Sequence, residues 1–177
     1  MARPPRFRLL ALGFLFLASV AVAFDETRDP WIRGVFTGNS PRAVACTESD
    51  AWRDAIDVVS RNPGSFILVG TGRSMLPLYP AGTLLVIRET DYSDLRSGQT
   101  VIYRNERQNA VGHVLVAKAR DGWRARGLNN ITHDREPVTE SKLIGVVIAA
   151  YAPQDNAAPR TKRRPARQAT FQSENGR

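Results

Sequence analysis

The chain has 177 residues, 42% of them hydrophobic, which is enough for one domain with tails, and its formal charge is +8. The single cysteine, Cys46, excludes an intrachain disulfide, and two histidines without close ligand spacing argue against a structural zinc site. The charge gathers at the ends, in Arg3, Arg6 and Arg8 and in the basic residues after Tyr151, so the stretch between is almost neutral and carries no electrostatic footprint for nucleic acid.

Met1–Arg8 is basic, Leu9–Val20 is apolar and uncharged, and Ala21-Val22-Ala23 precedes the first acids, Asp25 and Glu26. This is the pattern of a secretory signal peptide over residues 1–23, with a cut after Ala23. The apolar run Leu9–Phe24 is shorter than the about 20 residues a membrane span needs, although an uncleaved signal anchor fits the same pattern. Either reading places the chain after residue 24 outside the cytoplasm, periplasmic or secreted, because the basic flank stays inside.

Residues 24–63 read as an amino-terminal extension. Phe24–Ser40 is punctuated by Pro30, Gly34 and Gly38, with Trp31, Val35 and Phe36 available to pack on the domain. Apolar residues at 51, 52, 55, 56, 58 and 59 predict a helix over about 49–61, with Ser49 as N-cap and Asn62-Pro63-Gly64 as the stop. Its Trp52/Ile56/Val59 stripe is expected to face a sheet.

Residues 64–150 carry short apolar, β-favouring runs separated by turn residues. They are Phe66–Val69, Thr83–Ile87 after Pro80-Ala81-Gly82, Thr100–Arg104 after Ser97-Gly98, Ala110–Ala117, Trp123–Arg126 after Asp121-Gly122, and Leu143–Ile148. This predicts a mainly β domain with one short helix packed on it. Between the first two runs lies Gly72-Arg73-Ser74-Met75-Leu76-Pro77. Glycines there let the backbone turn sharply, Pro77 stiffens the chain beyond the serine, and a hydroxyl on such a turn is a candidate nucleophile.

Five boxes in order resemble the catalytic domain of type I signal peptidases. They are Ser74-Met75-Leu76-Pro77, Gly82-Thr83-Leu84-Leu85-Val86, Gly98-Gln99-Thr100-Val101-Ile102-Tyr103, Gly112-His113-Val114 and Gly127-Leu128-Asn129-Asn130 with Asp134 beyond it. The resemblance covers about residues 64–150 and implies a signal-peptidase-like β-rich fold. It implies Ser74 as nucleophile and a base on the fourth box, which is lysine in bacterial members and histidine in archaeal and endoplasmic-reticulum members. His113, 39 residues after Ser74, matches the histidine version. Lys118 is the fallback base; simple strand alternation from His113 would point it to the opposite face. Asp134 stands at the family's acid position and would orient the imidazole. The oxyanion would be held by backbone N–H groups around Gly72 and Ser74. Met75, Leu76 and Pro77 would border a shallow apolar groove that accepts small residues of an extended substrate.

The chain departs from the family where aspartates follow three of the glycines: Thr83, Gln99 and Leu128 stand there, and Val114 follows His113 in place of arginine. His133 could pair locally with Asp134. The resemblance therefore implies an exported serine endopeptidase with protein or peptide substrates and no metal or organic cofactor. The alternatives are a degenerate, non-catalytic binding or assembly module, or a self-cleaving repressor of the related serine–lysine group, which would carry a DNA-binding domain where the export pattern stands. Residues 151–177 read as a basic, disordered tail whose Thr161–Arg167 run either is a solvated terminus without a partner or binds anionic lipid headgroups or nucleic acid by charge, lipid being the better fit outside the cytoplasm. Nothing in the pattern sets an oligomeric state.

Overall fold

A computed structural model describes residues 30–154. The expected signal segment (1–23) and all of the expected tail beyond Gln154 lie outside the described residues. Among those described, no helix is long and apolar enough to cross a membrane.

The chain is mainly β, as the turn-punctuated runs predict. A short hairpin, β1 (Trp31–Ile32) and β2 (Val35–Phe36), precedes a seven-stranded sheet made of β3 (Ala43–Cys46), β4 (Ser65–Val69), β5 (Leu84–Arg88), β6 (Thr100–Arg104), β7 (Ala110–Ala119), β8 (Gly122–Arg126) and β9 (Leu143–Pro153). The order across the sheet is β4-β5-β9-β6-β7-β8, with β3 pairing in parallel with the far half of β9. Strand β9 is the axis. One of its sides pairs with β5 over Val146–Tyr151, and the other pairs first with β6 and then with β3. It runs to Pro153, three residues into the stretch that reads as tail. The extension before residue 64 is likewise built into this sheet through β3.

The apolar runs on β5 and β6 are continuous because both faces of the sheet are covered. Leu85 and Ile87 enter a central core with Ile102, Val114, Leu128 and Val147, joined by Ile32 and Val35 from the short hairpin. Leu84 and Val86 face the other way, under helix α1 (Glu48–Arg61). Val101, Tyr103, Leu115, Trp123 and Val138 form a third cluster at the β6–β8 end.

Helix α1 corrects the expected packing stripe. Its buried residues are Asp50, Ala51 and Ala55, with Val58 and Val59 against the same cluster, whereas Trp52 is 41% and Ile56 57% exposed. Positions 51, 55, 58 and 59 follow the 3.6-residue period, and small alanines let the helix axis lie close to the sheet; 52 and 56 are rotated about 100° away. The N-cap also lies earlier in the chain than expected. Thr47, in extended conformation, accepts from the Asp50 N–H at 3.2 Å, and the helix starts at Glu48.

Candidate active site

Ser74 sits on the loop that leaves β4 and returns as β5. The Gly70 N–H donates to the Thr83 carbonyl (2.8 Å) and the Gly82 N–H to the Gly70 carbonyl (2.7 Å), tying the two ends of the loop together. Tyr79 N–H reaches the Met75 carbonyl at 3.0 Å, closing a turn just after the serine, and the Leu76–Pro77 peptide within it is cis. A third tether comes from far along the chain: the Asn129 N–H donates to the Ser74 carbonyl at 2.7 Å. The serine backbone is thus held by its own loop and by the Gly127–Asn130 box.

His113 lies in the first half of β7, 6% exposed, opposite Val101 of β6. Its Nε2 is 3.0 Å from Ser74 Oγ and its Nδ1 is 2.7 Å from Asp134 Oδ2. A carboxylate oxygen only accepts, so Nδ1 carries the proton and Nε2 is left to accept from the serine hydroxyl. Asp134 is anchored by its own N–H on the Ala125 carbonyl of β8, at 2.9 Å. Three residues from three segments, 21 to 60 positions apart, therefore form one hydrogen-bonded chain. His133 is exposed, and the imidazole that Asp134 bonds is that of His113.

Gly127 explains how the segments come so close. A Cβ there would lie 2.7 Å from Asn130 Nδ2, 2.9 Å from His113 Nε2 and 2.9 Å from the Ser74 carbonyl oxygen. Only a residue without a side chain lets these groups converge.

Tyr103 is a member of the cluster that sequence reasoning passed over. It is buried, its hydroxyl donates to Asp134 Oδ2 at 2.6 Å, and its ring meets the His113 ring edge-on at 6.5 Å between centroids. Burial first, then the hydrogen bond and charge of Asp134, push its phenol well above the ordinary range, so the hydroxyl keeps its proton. The signal was available in principle. The β6–β7 hairpin pairs Arg104 with Ala110 and hence Val101 with His113, which puts Tyr103 two residues along on the same face.

Lys118 is placed differently from the alternation argument. A bulge between Leu115 and Ala117 leaves Leu115 opposite Ala125 and Lys118 opposite Trp123. These partners are two apart on β8, so Lys118 shares the face of Leu115 and of His113. What separates it from Ser74 is position: it is exposed at the far end of β7, roughly 13 Å along the strand from His113.

The departures have local structural explanations. Thr83 is fully buried and its hydroxyl donates to the Pro80 carbonyl at 2.6 Å, closing the turn that precedes β5. Gln99 Oε1 accepts from the Arg96 N–H at 2.7 Å, a turn-capping bond of the kind a short acidic side chain makes. Leu128 is fully buried in the central core, as is Val114. None of these positions removes an atom from the Ser74–His113–Asp134 chain.

Beside Ser74 runs a cleft of about 350 Å³. Leu68 and Val69 of β4, Leu85 of β5, Ile102 of β6 and Val111 and Gly112 of β7 line it, together with Gly72, Ser74 and Met75 of the serine loop. Met75 is both core and lining, whereas Leu76 and Pro77, expected to border the groove, do not line it. Among the described residues, no three His, Cys, Asp or Glu side chains converge as a metal site.

The profile of one protein family, described as Peptidase S24-like, matches residues 32–148, from Ile32 of β1 to Ile148 within β9, with all the residues of the hydrogen-bonded chain. The chain belongs to the Peptidase S24-like family. That membership agrees with the resemblance drawn from the five boxes at the level of the wider superfamily, and it makes the protein a serine-peptidase-type hydrolase by family, with protein or peptide substrates. No curated protein matches the sequence.

Proposed function

We propose that the protein is a serine endopeptidase of signal-peptidase-like specificity, acting outside the cytoplasm. The observation that carries the catalytic assignment is the continuous Ser74–His113–Asp134 hydrogen-bonded chain. Ser74 Oγ attacks the scissile carbonyl carbon while His113 Nε2 takes its proton. The C–N bond then breaks and the same proton passes to the leaving amine, leaving an acyl-enzyme. Water, deprotonated by His113, attacks the ester and restores the serine. Asp134 holds the imidazole in the required tautomer and stabilises its charged form. The negative oxygen that forms in each step is met by main-chain N–H groups at Ser74 and the neighbouring Gly72 turn.

The substrate is an extended segment with small residues before the cut. Two features support this. Strand β4 lies at the edge of the sheet, bonded on one side to β5, and its Leu68 and Val69 line the cleft, so an extended peptide can add to it through main-chain bonds. The cleft walls are apolar and bring glycines 70, 72 and 112 close to the groove. The amino-terminal pattern supports export, as a cleaved signal or an anchor. Terminal sequencing of the mature protein after membrane fractionation tests that part: a start at Phe24 in the soluble fraction removes the anchor.

The test of the activity is cleavage of an Ala-x-Ala preprotein by the purified protein beside Ser74→Ala, His113→Ala and Lys118→Ala. Activity disappears in the first two and persists in the third. Loss in Lys118→Ala with retention in His113→Ala would transfer the base to Lys118. A folded wild type that cleaves none of several small-residue substrates would replace the peptidase by a non-catalytic module.

A further inference from the structure

Asp134 Oδ2 accepts two short hydrogen bonds, from His113 Nδ1 at 2.7 Å and from the Tyr103 hydroxyl at 2.6 Å. We propose that Tyr103 is a positioning residue for the His113–Asp134 pair, a fourth member of the hydrogen-bonded chain that both orients the carboxylate and moderates how strongly it accepts from the imidazole Nδ1–H. The proposal deepens the serine-peptidase reading and rests on it for the kinetic part of its test.

A carboxylate held only by His113 is free to turn about its last torsion, and a turn moves the acceptor out of line with Nδ1–H. A second donor on the same oxygen, from a buried side chain on a paired strand, removes that freedom. Tyr103 and His113 occupy neighbouring positions on one face of the β6–β7 pair, so the distance between the two donors is set by sheet register rather than by a loop. The Tyr103 ring also meets the imidazole edge-on.

A hydroxyl that donates to Asp134 Oδ2 draws charge from it and weakens the bond the same oxygen accepts from the His113 Nδ1–H. Removing the hydroxyl therefore strengthens the bond from Nδ1–H. The Glu136 carboxylate, whose charge also reaches Tyr103, is paired with Lys142 at 2.6 Å.

The test compares wild type, Tyr103→Phe and a protein with 3-fluorotyrosine incorporated at position 103 alone. Fluorine makes the phenol a stronger donor at almost unchanged size, so it acts in the opposite direction to the phenylalanine and does not remove packing. The first readout is the NMR resonance of the His113 Nδ1–H proton, which needs no substrate. In Tyr103→Phe it moves downfield, and in the fluorotyrosine protein it moves upfield. The second is the kinetics of peptide cleavage. Tyr103→Phe lowers kcat by about tenfold with KM unchanged. An unchanged resonance in both variants overturns the proposal, as does a wild-type kcat in an active Tyr103→Phe. Should Tyr103→Phe fail to fold, the fluorotyrosine protein decides by the same resonance. A wild type that cleaves nothing while the resonances move as stated sinks the peptidase reading and leaves the role of Tyr103 standing.

Discussion

The two halves of β7 carry the two side chains that the sequence offers as bases, and they sit in opposite surroundings. His113 is buried, bonded through one ring nitrogen to Asp134 and through the other to Ser74, with Gly127 leaving the space for all three. Lys118 stands on the same face of the same strand, exposed, near the turn into β8. Residue type alone cannot separate them, since either side chain can serve as a base once its surroundings shift it. The difference lies in what other segments bring. The loop after β8 delivers Gly127 and Asp134 to the first half of β7, and the loop after β4 delivers Ser74.

That contrast can be broken most sharply at Asp134. Asp134→Asn keeps the shape of the side chain but can present an N–H to Nδ1, which favours the wrong tautomer. Cleavage falls by about 10⁴-fold in kcat with the fold intact by circular dichroism; a loss under about tenfold would mean that the acid does not orient the base. Gly127→Ala comes next. Its new Cβ would lie 2.9 Å from the Ser74 carbonyl, a backbone atom that cannot swing away, so the serine and imidazole separate. A displacement of that kind costs about 10²-fold in kcat, and an unaltered His113–Ser74 distance in a crystal structure of the variant would refute the explanation.

Leu128→Ala sharpens the comparison from the side of stability. Leu128 follows the glycine of the active-site box but faces the central core, fully buried. Truncation costs about 2–5 kcal/mol in urea unfolding while kcat, measured well below the midpoint, stays within a few-fold. A large activity loss without loss of stability would return this position to the site. At the weak end, Lys118→Ala shifts stability by less than about 0.5 kcal/mol and leaves kcat/KM unchanged.

How much of this was legible in the sequence differs from element to element. The strands on β5, β6, β7 and β9 follow from apolar runs and turn residues, because local patterning and burial agree there. Helix α1 was legible in extent but not in orientation. Its apolar positions cover more than one face, and only the sheet beneath it decides that Ala51 and Ala55 turn inward while Trp52 and Ile56 stay out. The face of Lys118 was misjudged because a one-residue bulge reverses the alternation of everything beyond it, and nothing in Val116 or its neighbours announces a bulge.

The amino-acid sequence by itself determined the β-rich class, the short helix with its stop at Asn62, the order of the five boxes, and Ser74, His113 and Asp134 as the groups worth testing together. The class and the helix are properties of local runs and turn chemistry, and the boxes and the three groups rest on the resemblance to signal peptidases, neither of which needs what lies nearby in space. Only the tertiary structure decided that these three side chains meet at hydrogen-bond distance, that Tyr103 joins them, that Gly127 must lack a side chain, and that Leu76 and Pro77 stay off the cleft. Contacts between segments tens of residues apart depend on strand register and bulges, and a single-residue shift in either moves a side chain to another face or another neighbour.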